Sequence, residues 1–251
     1  MALQEEFESQ GNWLFRYRSF LPLIILVIGW MLYLRRELHP EEFTLYSPEL
    51  DSYFLAAGLA VGLLGLFIRI YTVGHTPRNT SGRNTKEGQV ADTLNQTGIY
   101  SLVRHPLYLG NFLMWLGPAV YTGHVWFMIG FTFMYWVYYE RIMFAEEQFL
   151  RKKFGKTYLD WSAKVPAFVP KLSGFVKPEY SFSWKKVLRK EKNGLFALFT
   201  IFCAFDVSGE LIKNGDQFNP FLIAMTGITG VLYLILKFLK KKTAVLSEAD
   251  R

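Results

Sequence analysis

The chain is poor in sulfur chemistry. Its single cysteine, Cys203, cannot form an intrachain disulfide, and neither His nor Cys stands near it at metal-ligand spacing. The expectation is a small buried hydrophobe and no metal site. A cleavable signal is also missing. The first apolar run begins near residue 20, after Glu5, Glu6 and Glu8, and lacks a small-residue cleavage site, so it reads as a retained span. No Gly-Lys-Ser/Thr follows Arg83 and Lys86, which excludes a phosphate loop there. The chain shows no nucleic-acid-binding motif, no internal repeat and no low-complexity tract.

What the chain has in abundance is apolar surface. Of its 251 residues, 51% are hydrophobic and 18% aromatic. These gather in six runs of 15 to 22 residues, at 20–34, 53–73, 107–122, 124–139, 195–212 and 218–239. Such lengths approach the roughly 20 residues that cross a bilayer core. The predicted class is therefore all-α: a polytopic integral membrane bundle of about six transmembrane helices. The third and fourth runs are short, and Gly117-Pro118 predicts tilt or a kink.

Charge orients this bundle. Outside the runs, 23 Lys and Arg fall in alternate segments starting from the N-terminus, against 3 in the others. By the positive-inside rule, both termini and the polar segments 74–106 and 140–194 are cytoplasmic, in an inner, plasma or endoplasmic-reticulum membrane. The excess of positive charge then faces anionic headgroups and needs no nucleic-acid partner.

Local signals place the helix ends. Asp51-Ser52 reads as an N-cap and Asn219-Pro220 as a cap followed by a first-turn proline. The stretch 74–97, rich in Gly, Thr, Asn and Arg, is a connection or a ligand-enclosing loop. Residues 141–160 continue the fourth run as a helix, which Val165-Pro166-Ala167-Phe168-Val169-Pro170 ends in extended form. The basic segment 171–194 reads as an interfacial linker. Asp206 and Glu210, four apart in the fifth run, are intramembrane acids and so functional candidates.

Two polar segments flank the hairpin of the third and fourth runs, and both therefore reach one membrane face. The first carries Tyr100, Arg104, His105, Pro106 and Tyr108; the second carries Glu146 and Glu147. Pro106 suits the first turn of a helix, which puts Arg104 and His105 at a helix N-terminus fit for an anionic group. His105 and Tyr108 share a helix face. The acidic pair needs partners so near a bilayer, and Arg104, His105 and Arg141 are available. Two readings stand for it: a Glu accepts hydrogen bonds from a ligand ammonium, or Glu147 forms a solvated ion pair with Arg151.

The stretch from about 85 to 170 resembles the isoprenylcysteine carboxyl methyltransferase-like and phospholipid methyltransferase superfamily. The matching residues are Gly98-Ile99-Tyr100, Arg104-His105-Pro106-Leu107-Tyr108-Leu109-Gly110, Glu146-Glu147, Phe154-Gly155-Lys156-Thr157-Tyr158 and Val165-Pro166-Ala167-Phe168-Val169-Pro170. The resemblance implies S-adenosylmethionine bound on the cytoplasmic side by Thr93, Leu94, Tyr100, His105, Pro106, Tyr108 and Glu146. Related enzymes often carry His where this chain has Asp92. It also implies a methyl acceptor that enters from the lipid, with Arg141 matching a substrate-side arginine after a one-residue shift. A prenylated cysteine carboxylate, a phospholipid amine and a lipid phosphate all fit. An anionic acceptor needs a cation to position it, a role for Arg104 or Arg141. An amine acceptor must lose a proton, for which Glu147 is the base.

Two other classes compete. An NADPH-dependent sterol-type reductase shares a related signature, but Glu146-Glu147, Leu150 and Lys153-Phe154-Gly155 before Tyr158 depart from its pattern. A non-catalytic membrane scaffold would leave the polar pair without a use. The expected organisation is a lead-in and first span at 1–52, a methyltransferase-like core at 53–170, the basic linker at 171–194, and a C-terminal hairpin with a basic tail at 195–251.

Overall fold

The computed structural model describes residues 2–18, 20–43, 46–77, 83–85 and 88–248; part of the 74–97 loop thus lies outside the described residues. Among the described residues seven α-helices make the bundle: α1 (Leu3–Tyr17), α2 (Leu21–Leu38), α3 (Asp51–Gly74), α4 (Pro106–Tyr121), α5 (Val125–Ser162), α6 (Trp184–Ile212) and α7 (Pro220–Lys242). Two short strands, β1 (Arg83–Thr85) and β2 (Gly88–Val90), pair antiparallel before the site.

The protein is a helical membrane protein. Among the described residues, α3, α6 and α7 are each long and apolar enough to cross a bilayer, and α1 with α2 passes only as a pair bent by 67°. The other expected crossings fall short for physical reasons. The α4 helix has 16 residues, about 24 Å at 1.5 Å per residue, against a hydrocarbon core of about 30 Å. The α2 helix ends in Arg35-Arg36-Glu37, and α5 runs on from its apolar half into a charged one.

Chemistry at the helix ends explains the boundaries. The Asn219 side chain accepts hydrogen bonds from the Phe221 and Leu222 amides at 3.1 and 3.2 Å, and Pro220 opens α7, as its sequence implies. The helix expected from 195 begins at Trp184 instead, because Ser183 caps it by accepting from the Lys186 amide. The Asp51 cap is a correction. A 3₁₀ turn leads straight into α3, and the Asp51 carboxylate is drawn off to Arg36 at 2.6 Å. Glycine also cuts α5 near its end: Gly155 takes φ 53°, ψ −125° inside the helix.

Close backbone contact joins α3 to α4. A Cβ on Gly58 would lie 2.6 Å from the Gly117 carbonyl oxygen, and one on Gly65 would lie 2.5 Å from that of Gly110. Small residues let membrane helices approach this closely, where dispersion rather than water drives packing. Two apolar clusters fill the bundle around this seam. Phe15, Tyr108, Phe131, Tyr135, Tyr139 and Ile142 join α1, α4 and α5. Tyr33, Leu66, Tyr121, Leu198, Phe202 and Leu222 join α2, α3, α4, α6 and α7. Cys203 packs partly buried against the second cluster.

Ion pairs tie the elements outside that seam. The Arg69 guanidinium on α3 grips the Glu191 carboxylate on α6 at 2.8 and 2.9 Å and donates to Asn111 on α4 at 2.5 Å. At the other end of α3, fully buried Arg36 binds Glu37, Asp51 and the Tyr121 carbonyl. Glu37 continues to Lys213 at 2.6 Å, and Lys213 to Glu210 at 2.9 Å. Asp206 accepts from the Asn219 amide at 2.9 Å, and Glu210 from that of Gln217 at 3.3 Å. The two acids of the fifth run thus organise the α6–α7 turn.

The glycine seam is directly testable. Gly58→Val should lower the melting temperature of the detergent-purified protein, because overpacking a filled interface costs ~1–3 kcal/mol or more. Gly227→Val, where nothing lies within 4 Å of the added carbon, should leave it nearly unchanged.

Candidate active site

The site forms where the start of α4 meets the second half of α5. Tyr100 sits in a 3₁₀ turn just ahead of α4 and is buried there. Its carbonyl accepts from the Trp161 indole at 3.2 Å. His105 occupies the cap position of α4 and Pro106 its first turn. Extended chain from the end of α5 returns along this approach: the Arg104 and His105 amides donate to the Pro166 and Ala167 carbonyls at 2.9 and 3.1 Å. Those two amides are therefore spent within the protein, and the helix start offers fewer free N–H groups than its sequence implies.

Four charged side chains converge on this corner. His105 Nε2 lies 2.9 Å from Glu147 Oε1, and His105 Nδ1 lies 3.6 Å from Glu146 Oε2. Arg104 Nε lies 3.1 Å from Glu147 Oε1 in an ion pair without hydrogen-bond alignment. Arg104 Nη1 donates to the Ser162 carbonyl at 3.0 Å, closing the C-terminus of α5 with a cation. The Tyr108 hydroxyl donates to Glu146 Oε2 at 2.7 Å, and its ring stacks on His105 at 5.4 Å between centroids. His105, Tyr108 and Glu146 are buried. Below them Tyr135 donates to the Tyr108 carbonyl at 2.9 Å and stacks on Tyr139.

Pairing decides the protonation states. Burial opposes a charge on His105, but hydrogen bonds and charge from Glu146 and Glu147 outweigh it and push the imidazole up to about 9. Burial likewise opposes the Glu147 carboxylate, yet His105 and Arg104 hold it below the ordinary carboxylate value. Burial and the nearby Glu147 charge raise the Tyr158 phenol, so it remains a donor.

A tight cavity of about 10 Å³, room for about one water, opens beside this cluster and is lined by Thr93, Leu94, Asn95, Tyr100, Arg104, His105, Glu146, Leu150, Tyr158 and Trp161. A second of about 110 Å³ adjoins it and shares Thr93, Leu94, Asn95 and Tyr100. Three buried polar atoms on the first wall, Asn95 Nδ2, Arg104 Nε and the Tyr158 hydroxyl, have no hydrogen-bond partner among the described residues. Buried donors in that state are costly unless something else satisfies them.

Of the residues singled out in the sequence, the structure brings together Arg104, His105, Pro106, Tyr108, Glu146, Glu147, Tyr100, Thr93 and Leu94. Arg141 lies apart from them. Its guanidinium pairs with Glu140 at 3.0 Å and lies 3.4 Å over the Phe7 ring of α1, outside the cluster. Glu147 turns inward to His105 and Arg104 in place of a helix-face pair with Arg151. Sequence reasoning passed over Asn95, Tyr158 and Trp161. Tyr158 had a signal, since it follows Glu147 by about three turns of helix in a motif that was already legible.

A helical membrane protein with a buried acid–histidine–arginine cluster at a helix start is the class these features define. The sequence model described as phospholipid methyltransferase matches residues 53–157. A probable protein-S-isoprenylcysteine O-methyltransferase of Oryza sativa subsp. indica is 31% identical over 135 residues, 53% of this chain and 70% of that protein. The protein-S-isoprenylcysteine O-methyltransferase of Xenopus laevis is 30% identical over 135 residues, 53% of this chain and 46% of that one. Methanethiol S-methyltransferase 2 of Bradyrhizobium diazoefficiens is 40% identical over 75 residues, 30% and 27% of the two chains. The chain belongs to the isoprenylcysteine carboxyl methyltransferase and phospholipid methyltransferase superfamily. The match to the Xenopus protein spans about half of that relative's length. No solved structure matches the chain.

The charge cluster predicts a pH dependence. The His105 contribution to stability is complete below its ordinary value of 6.5 and is lost as pH rises through about 9. That of Glu147 is present above 4.5 and is lost as pH falls through its lowered value. Melting temperature should therefore decline between pH 6.5 and 9 by an amount that His105→Gln does not show.

Proposed function

We propose that this protein is an S-adenosylmethionine-dependent methyltransferase acting on a lipid or lipidated acceptor at the cytoplasmic face of a membrane. One observation carries the reading: Arg104, His105 and Glu146 of the ion-paired cluster line a cavity whose wall also holds the Asn95 amide and the Tyr158 hydroxyl without hydrogen-bond partners among the described residues. The residues present fit the cofactor chemically. Glu146 offers negative charge to its cationic groups, Tyr100, Tyr158 and Trp161 offer aromatic faces, and Asn95 and Tyr158 offer donors. Thr93, Leu94 and Asn95 form the wall common to both cavities, so movement of that one segment would join them.

When bound, S-adenosylmethionine supplies an electrophilic methyl on a positively charged sulfur. The protein's task is then to align donor and acceptor and to exclude water. His105 and Tyr108 hold Glu146 in place. Glu147 holds Arg104 and His105, and its lowered pKa makes it a poor base. This favours an acceptor that is already anionic over an amine that must be deprotonated. A prenylcysteine-type carboxylate fits, in keeping with relatives named for O-methyl transfer to isoprenylcysteine. Arg104, already on the cavity wall, is the cation to position it.

The core at 53–170 would carry this chemistry, flanked by the lead-in at 1–52, the segment 171–194 and the hairpin at 195–251. Six helices would cross, with both termini and the site cytoplasmic; the 23-to-3 division of basic residues supports this. In a Cys203→Ser background, Val90→Cys and Tyr180→Cys should react with an impermeant thiol reagent from the cytoplasmic side only. Reaction from the other side would overturn the topology.

His105→Ala and Glu146→Gln should each weaken S-adenosylmethionine binding by at least about tenfold, ~1.4 kcal/mol, in titration calorimetry of folded protein. Unchanged affinity in both would reject this placement. Radiolabelled methyl should enter membrane lipid or lipidated protein, and label found only in soluble small molecules would defeat the acceptor class. Arg104→Lys should impair transfer, since lysine lacks the planar fork. Residual transfer by Glu147→Gln should not climb with pH. A climb would mean that hydroxide replaces a missing base and that the acceptor is an amine.

A further inference from the structure

The segment that leaves α5 makes an excursion that methyl transfer does not by itself require. After Val165 the chain runs extended past the start of α4, and Phe168 packs its ring against Phe112 at 5.8 Å and Trp136 at 5.5 Å. Phe112 lies about two turns into α4, and Trp136 lies within the apolar half of α5. Phe168 therefore packs alongside the apolar parts of α4 and α5 although it belongs to a non-helical connection. The residues beside it face outward: Val169 is 71% exposed, Leu172 91%, and Phe175 and Val176 about half. Gly174, with φ 84°, turns the chain between them.

Charge matches this position. From Lys164 to Lys177 the chain carries three lysines, Lys164, Lys171 and Lys177, all exposed, and no acid. Apolar tips with a lysine fringe suit the boundary between acyl chains and anionic headgroups. In water, four such apolar side chains on one turn would form an exposed patch with nothing to cover it.

The same turn is bonded along the site's approach. The Arg104 and His105 amides donate to Pro166 and Ala167, Lys171 donates to the Leu102 carbonyl at 2.9 Å, and Gly98 donates to that of Val176 at 2.8 Å. The Val176 amide donates to Ser101 Oγ at 2.9 Å. Four main-chain hydrogen bonds and one to the Ser101 side chain thus connect residues 166–176 to residues 98–105.

We propose that the turn from Phe168 to Lys177 is a lipid-inserted wedge, seated in an anionic leaflet, that holds the start of α4 in its site geometry. It stands independently of the reaction at that site. Insertion orders the turn, which bonds to Gly98, Ser101 and Leu102, and the Pro166 and Ala167 carbonyls just ahead of it hold the backbone that carries Arg104 and His105. Contact with the membrane and preorganisation of the site become one equilibrium.

The test uses the full chain in lipid nanodiscs. In a Cys203→Ser background, Leu172→Cys labelled with an environment-sensitive fluorophore should show blue-shifted emission. Lipids spin-labelled near the headgroup should quench it several-fold more than a label at Lys156→Cys, on the outer part of α5. Quenching should deepen when anionic lipid replaces zwitterionic lipid, and Lys171→Gln with Lys177→Gln should remove that difference. Water-like emission open to aqueous iodide in both bilayers would overturn the proposal and assign the patch to a protein partner. Hydrogen exchange tests the coupling. Leu172→Asp with Phe175→Asp should speed exchange in peptides covering 100–108 several-fold, while Leu172→Met with Phe175→Leu should keep it slow. Equal exchange in the two variants would overturn the link to the site.

Discussion

Burying charge inside a helical membrane protein is the constraint around which this protein is arranged. His105 and Glu146 are buried and Arg104 and Glu147 mostly so. Removing one member of such a buried set leaves an uncompensated charge, at a cost of about 3–5 kcal/mol. The four must therefore meet, and their meeting dictates the backbone. The start of α4 has to stand against the middle of α5, and Arg104 has to reach back to Ser162 at the end of the same helix. The long polar extension of α5, its glycine break and the extended chain that returns from it bring partners to a corner that cannot tolerate their absence.

The remainder of the bundle keeps that corner at a fixed distance from a second anchor. Glycines bring α3 and α4 into backbone contact, so neither helix can slide without a clash. At the end remote from the site, Arg36 gathers Glu37, Asp51 and Tyr121, and Lys213 extends the network to the C-terminal hairpin. Between the two, Arg69 latches α6 to α3 and α4 through Glu191 and Asn111. Ionic contacts in an apolar bundle contribute little net stability, but they discriminate strongly between registers. The helices α6 and α7 are thus held in one position relative to residues 53–157, which the family model matches.

Chemistry at the site follows from the same pairing. A carboxylate held by an imidazolium and a guanidinium keeps its negative charge but loses basicity. Its value lies in orienting two cations, which leaves proton removal an unsuitable task. Asn95 Nδ2 and the Tyr158 hydroxyl stand on the cavity wall without a hydrogen-bond partner among the described residues. The connection from α5 packs Phe168 against Phe112 and Trp136 beside the same corner, and under the proposed function an acceptor carried in the bilayer would approach past it.

Much of this was legible without coordinates. Apolar runs and their lengths gave the helical membrane class, Asn219-Pro220 the start of α7, and Pro106 the start of α4. Those are local matters, settled by hydration of side chains and by the hydrogen-bonding limits of a few adjacent residues. The sequence also named the charged residues of the site, because an acidic pair and an Arg-His pair beside a membrane need partners. It could not choose among those partners. Arg104 and Arg141 carry the same charge, yet a helix contributed from the N-terminus takes Arg141 onto Phe7, while Arg104 turns to Glu147. Asp51 had the residue type of a cap and became a counterion, because fully buried Arg36 lies within reach of it. Asn95 and Tyr158 gained significance only from being buried without partners on a shared wall. Each of these outcomes depends on which distant groups are brought within a few ångströms in a medium of low dielectric, and only tertiary packing decides that.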